Sequence, residues 1–99
     1  MTVSIDSVDF RFDSTEVFIK IENETGDELG LYITQCYAVQ NKRQVRNIFS
    51  RTRINNRIPS GVIEEGVLSF DPIDYRIVNV VFYLRFDLET FGIEVNLIA

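Results

Sequence analysis

Ninety-nine residues, 45% apolar and 25% charged, suffice for one domain with a buried core and argue against disorder. Histidine is absent, cysteine occurs once and the net charge is −5, which excludes histidine-based catalysis and an internal disulfide and disfavours general attraction to nucleic acid. No apolar run approaches the roughly 20 residues of a membrane-crossing helix.

Residues 3–12 read as a strand whose inward parity changes, from Val3 and Ile5 to Val8, Phe10 and Phe12. A bulge near Ser7, or a strand crossing between sheets, would restore one inward face. Asp13, Ser14 and Thr15 form a turn, and residues 16–22 then alternate strictly. Val17, Ile19 and Ile21 point inward, and only Phe18 breaks the polar face. The polar stretch 23–28, with Gly26 at its centre, is a loop.

Residues 29–40 carry apolar side chains on both parities, which predicts one long strand covered on both faces or bent midway. Asn41, Lys42, Arg43 and Gln44 make the next turn, and residues 45–49 fit either a strand or one helical turn. Across residues 50–58, Arg51, Arg53, Asn55 and Arg57 occupy the odd positions while Thr52, Ile54 and Ile58 fall on the even ones. A strand here would display an arginine ladder on its open face. Pro59, Ser60 and Gly61 end it. Glu64, Glu65 and Gly66 read as a turn, and residues 67–70 as a short strand stopped by Asp71 and Pro72. Ile73, Asp74 and Tyr75 lead on from there.

The most apolar stretch is 76–98, two strands joined by a turn over residues 87–92 in which Gly92 supplies the freedom. Val78, Val80, Phe82, Leu84 and Phe86 form one apolar face, and Ile93, Val95 and Leu97 share a face on the second strand. This hairpin is expected at the centre of a sheet. Seven or eight strands with close turn signals predict an all-β antiparallel sandwich over residues 1–99, without repeats or linkers.

Three short stretches carry a family resemblance: Ile21-Glu22-Asn23-Glu24-Thr25-Gly26, then Ile58-Pro59-Ser60-Gly61, then Glu65-Gly66-Val67-Leu68-Ser69-Phe70. Together they resemble small immunoglobulin-like sandwich domains of bacterial and archaeal proteins. In those, a strand ending in Asn plus Ser or Thr precedes a loop, and a proline-glycine turn leads to a glycine, a short apolar strand and a phenylalanine. The resemblance implies that this sandwich of seven or eight strands is immunoglobulin-like, a noncatalytic and frequently extracytoplasmic binding or structural module. It assigns no functional residue. If Met1 is the native start, the absence of a basic head and apolar segment points to the cytosol, and if a signal segment was removed, to an extracytoplasmic place.

Little of the usual chemistry is open to this composition. Cys36 lies in an apolar stretch with nothing nearby in sequence to lower its pKa, so it reads as an inert core thiol. Asp71 with Asp74, or Asp6, Asp9 and Asp87, are conceivable calcium ligands without the alternate-residue spacing of the best-known loop, and they read as solvated carboxylates. Two acids without tryptophan or an aromatic cluster do not make a sugar-cleaving site. No cofactor is expected, and the chain reads as a nonenzyme.

Charge is sorted along the chain. Residues 29–63 hold no acid but six bases, Lys42, Arg43, Arg46, Arg51, Arg53 and Arg57, while the remainder carries fifteen acids against four bases. Arg51, Arg53 and Arg57 therefore stand as a binding row for a protein partner or for self-association, with Lys42, Arg43 and Arg46 as its margin. Phe18, Ile77 and Tyr83 are candidate apolar anchors. An anion- or nucleotide-binding sensor using the same arginines is the alternative, and a solvated face that guards a sheet edge is the plainest reading. The spacing Arg53-x-x-x-Arg57 resembles the two-arginine element of PilZ domains, the cyclic-di-GMP receptors. Leu68-Ser69-Phe70-Asp71 does not supply the Asp or Asn, Ser and Gly that those domains carry downstream.

Overall fold

The computed structural model describes residues 1–74, 79–87 and 89–96, and these are all-β with antiparallel pairing in every sheet. Nine strands occur among them. They are β1 (Thr2–Phe10), β2 (Thr15–Glu22), β3 (Leu29–Gly30), β4 (Tyr37–Gln40), β5 (Arg43–Arg46), β6 (Arg57–Ile58), β7 (Ile63–Phe70), β8 (Asn79–Arg85) and β9 (Thr90–Asn96). One sheet has the order β1-β2-β7, a second β5-β4-β8-β9, and β3 pairs with β6 alone. The count exceeds seven or eight because residues 29–40, expected as one strand, contribute both β3 and β4. Tyr75, Arg76, Ile77, Val78 and Leu97 lie outside the described residues.

Period-2 patterning places the core. Val17, Ile19 and Ile21 of β2, with Leu68 and Phe70 of β7, face Ala38 of β4 and Val80, Phe82 and Leu84 of β8, all at most 1% exposed. The Phe70 and Phe82 rings, 5.2 Å apart, join the two larger sheets across this core. Each such large side chain contributes about 1.5 to 3 kcal/mol when fully buried. Cys36 is also buried there, donating to the Tyr32 carbonyl at 3.4 Å, and burial pushes its thiol pKa up.

The parity change in β1 is a bulge. Ile5 pairs with Ile19 but Ser7 with Phe18, so Asp6 is the extra residue and Val8 returns to the core side. Phe10 and Phe12 do not follow it inward. Phe12 lies beyond the strand in the β1–β2 turn, closed by Arg11 N–H to the Ser14 carbonyl, and is 96% exposed.

Residues 29–40 bend midway instead of continuing as one strand. After β3, a 3-10 turn over Ile33–Gln35 hands the chain to the second sheet as β4. The Asn47 side-chain amide donates to the carbonyls of Ile33 and Cys36, satisfying groups that this break frees from ladder bonding. The following turn is shorter than expected. Gln40 pairs with Arg43, leaving only Asn41 and Lys42 between, both left-handed at φ 51° and 63°. Those signs belong to the mirror-image two-residue turn whose twist matches the flanking strands.

Two glycines read as turn residues lie inside strands. At Gly66 a Cβ would sit 2.6 Å from the Arg53 carbonyl oxygen, and at Gly92 it would meet the Tyr83 ring at 3.0 Å. Each supplies close approach within a strand. The expected central hairpin also changes. β8 is interior, flanked by β4 and β9, whereas β9 stands at the sheet edge among the described residues.

Candidate functional site

Residues 50–58 do not form a strand. Phe49–Arg51 is a 3-10 turn, Arg53 makes an isolated bridge to Val67, and only Arg57–Ile58 is extended, as β6. Alternate residues share a face only where the backbone is continuously extended, so the arginine ladder is broken. Arg51 and Arg53 come together. Arg57 is held elsewhere, on β6 beside Glu28, with Nη1 to Oε2 at 3.2 Å. Lys42, Arg43 and Arg46 occupy the β4–β5 hairpin, where Arg46 reaches Asp71 at 3.9 Å.

Arg51 and Arg53 line one groove of about 450 Å³ with Arg11, Asp13, Glu16, Phe18, Ser50 and Val67. Its floor is the outer face of the first sheet. Phe18 and Val67 are cross-strand partners on β2 and β7, and Val67 exchanges two backbone hydrogen bonds with Arg53, at 2.8 and 2.9 Å. Gly66 permits that exchange, since any Cβ would strike the Arg53 carbonyl. Arg53 is thus fixed by its backbone while its side chain is exposed, and it makes no ion pair among the described residues.

The neighbouring charges are partly matched. Arg51 Nη1 meets Asp13 Oδ2 at 3.0 Å, and Arg11 Nε meets Asp9 Oδ2 at 3.0 Å, with hydrogen bonding to Asp9 the main cause of the raised Arg11 pKa. Exposed pairs of this kind are screened by water and salt, so they tether the guanidinium groups without consuming them. Glu16 is 9% exposed. Its Oε1 accepts from the Ser14 hydroxyl at 3.4 Å, while Oε2 has no hydrogen-bond partner among the described residues. Ser69, its cross-strand partner on β7, has a buried hydroxyl in the same condition.

Sequence reasoning found Arg51, Arg53 and Phe18 but not Arg11, Asp13 or Glu16. The signal for Arg11 and Asp13 was their place in a hairpin turn, which has meaning only once Arg51 is known to fold against that turn. Glu16 sits on the polar face of an alternating strand, and nothing local announces its burial.

A second polar cluster lies near Arg57. Asp87 accepts the Gly30 N–H through Oδ2 and the Tyr32 hydroxyl through Oδ1, both at 2.7 Å. The Tyr32 hydrogen bond, then that of Gly30, holds the Asp87 carboxyl below its ordinary pKa, and the same carboxylate raises the Tyr32 phenol. Among the described residues no three acidic or cysteine side chains gather closely enough to hold a metal ion, so Asp6, Asp9 and Asp87 are not assembled. Among the described residues no helix is long and apolar enough to cross a membrane. No family model, curated protein or solved structure matches this chain.

Proposed function

We propose that this chain is an immunoglobulin-like β-sandwich serving as a noncatalytic protein-interaction or assembly module. The groove around Arg53 and Phe18 is its contact surface. Two features support the immunoglobulin-like reading. The strand orders β1-β2-β7 and β5-β4-β8-β9 match the A-B-E and C′-C-F-G grouping of such sandwiches. The residues that carry the family resemblance also meet in space, since Asn23 in the β2–β3 loop bonds to Ile58 and Gly61.

The observation behind the contact surface is Arg53, an exposed guanidinium without an ion pair among the described residues, its backbone fixed beside a 37% exposed phenylalanine. Arginine and aromatic side chains are the usual anchors of protein interfaces. A partner with a carboxylate next to an apolar side chain matches this pair. The alternative, an anion or nucleotide sensor, uses the same arginines, of which the groove unites only Arg51 and Arg53 while Arg57 is held beside Glu28.

A fluorescent peptide rich in aspartate with one leucine serves as the probe, read by anisotropy at low and high salt. Arg53→Glu lowers its affinity about tenfold, with the loss concentrated at low salt. Equal binding by the wild type and this variant would sink the reading. Tighter binding of a nucleotide than of the peptide would favour the sensor.

A further inference from the structure

We infer that the edge of β9, unpaired among the described residues, is a self-association surface, on which a second copy of the chain adds its own β9 in antiparallel register. This surface is separate from the Arg53 groove and does not rest on it.

The other sheet edges are each blocked by an identifiable device. β1 carries the bulge at Asp6. The outer side of β7 is taken by the bridges from Asn47 and Arg53. β5 is four residues long and bears Arg43 and Arg46, and β3 and β6 have two residues each. Among the described residues β9 has no such protection. Its seven residues run in unbroken register with β8, contain no proline, lysine or arginine, and carry a single charge, Glu94. Unpaired N–H and C=O groups along such an edge form a template for another strand.

The side chains point to β9 itself as that strand. Pairing two copies about a two-fold axis at Ile93 places Ile93 opposite Ile93 of the second copy, and Phe91 opposite Val95. Phe91, Ile93 and Val95 are all only partly buried against the core, so each gains cover from an apolar neighbour. On the other face, Glu94 falls opposite Gly92, so the sole charge never meets its own copy. An unrelated strand has no reason to fit this symmetry. The result is one sheet of eight strands, β5-β4-β8-β9 continued through the second copy. A contact of one strand pair is smaller than a standard interface, so the dimer is weak and concentration-dependent.

Sedimentation velocity on the wild-type chain and oxidative cross-linking of two variants test this together. The wild type is expected to shift towards dimer as concentration rises to about 1 mM, equally at about 50 and about 500 mM salt, because backbone hydrogen bonds carry the contact. Ile93→Cys faces its own copy directly, within disulfide range, whereas two Val95→Cys thiols lie four residues apart in this register, roughly 13 Å. Ile93→Cys should therefore yield about fivefold more disulfide dimer than Val95→Cys. Buried Cys36 leaves the background low. A wild type that stays monomeric, equal cross-linking by the two variants, or a dimer abolished by salt and by Arg53→Glu would overturn the proposal. The last outcome would assign association to the groove.

Discussion

The Asn23 side chain donates to the Ile58 carbonyl at 2.8 Å across 35 residues of sequence. The same amide donates to the Asp27 carbonyl, and its oxygen accepts from the backbone N–H and the hydroxyl of Thr25. Its backbone closes the other side, with Gly61 N–H to the Asn23 carbonyl at 2.7 Å and Asn23 N–H to Val62 at 3.0 Å. Asn23 is 1% exposed and satisfies two loops at once. Replacing it with alanine strands the buried Ile58 carbonyl and unties Thr25 and Asp27, so Asn23→Ala is expected to cost about 2 to 3 kcal/mol, read from urea melts. A loss below about 1 kcal/mol would mean that water replaces these bonds.

The bond between the Tyr32 hydroxyl and Asp87 predicts a bounded pH window. The depressed Asp87 pKa makes its contribution present above the unfolded carboxyl value, about 3.9, and lost as pH falls through the folded one. The raised Tyr32 pKa makes its contribution present below about 10 and lost as pH rises through the folded value. The stability gap between wild type and Tyr32→Phe should thus be greatest near neutrality and shrink at both extremes. Urea midpoints measured across the range check this, and a gap independent of pH refutes it.

Gly66 links stability to the candidate site. A methyl group there meets the Arg53 carbonyl oxygen at 2.6 Å and the Ile54 side chain as closely. Backbone cannot yield as a flexible side chain would, so Gly66→Ala is expected to cost about 2 to 3 kcal/mol. It should also detach the segment that carries Arg53. Hydrogen exchange at the amides of Arg53 and Val67 reads this directly, and unchanged protection of both would contradict it.

Ser69 offers a test in the opposite direction. Its hydroxyl is buried without a hydrogen-bond partner among the described residues, so it contributes desolvation cost and no bond. Ser69→Ala is expected to leave stability unchanged or raise it by up to about 1 kcal/mol. A thermal melt showing clear destabilisation would reveal a bond to that oxygen.

Strands with strict alternation were legible from sequence. Val17, Ile19 and Ile21 alternate on β2, Val80, Phe82 and Leu84 do so on β8, and all six are buried. The bulge in β1 was equally legible, because a parity change has few other causes. What failed was the inference from alternation at residues 50–58, where polar and apolar residues also take turns. That stretch borrows its bonds from β7 through Arg53 and through the Thr52 hydroxyl, which accepts from Ser69 N–H, and these contacts are invisible locally. Glycine misled for the same reason. Gly66 and Gly92 look like turn residues until the carbonyl and the ring against them are known.

The left-handed pair Asn41 and Lys42 has a consequence for the tip of the β4–β5 hairpin. Asparagine adopts that backbone readily, but lysine there is less stable than glycine by about 1 kcal/mol. The outermost ammonium of this hairpin therefore stands where a residue without a side chain would fit more comfortably. Lys42→Gly would thus relax the loop and discharge it in one step, whereas Lys42→Gln would remove the charge and keep the strain.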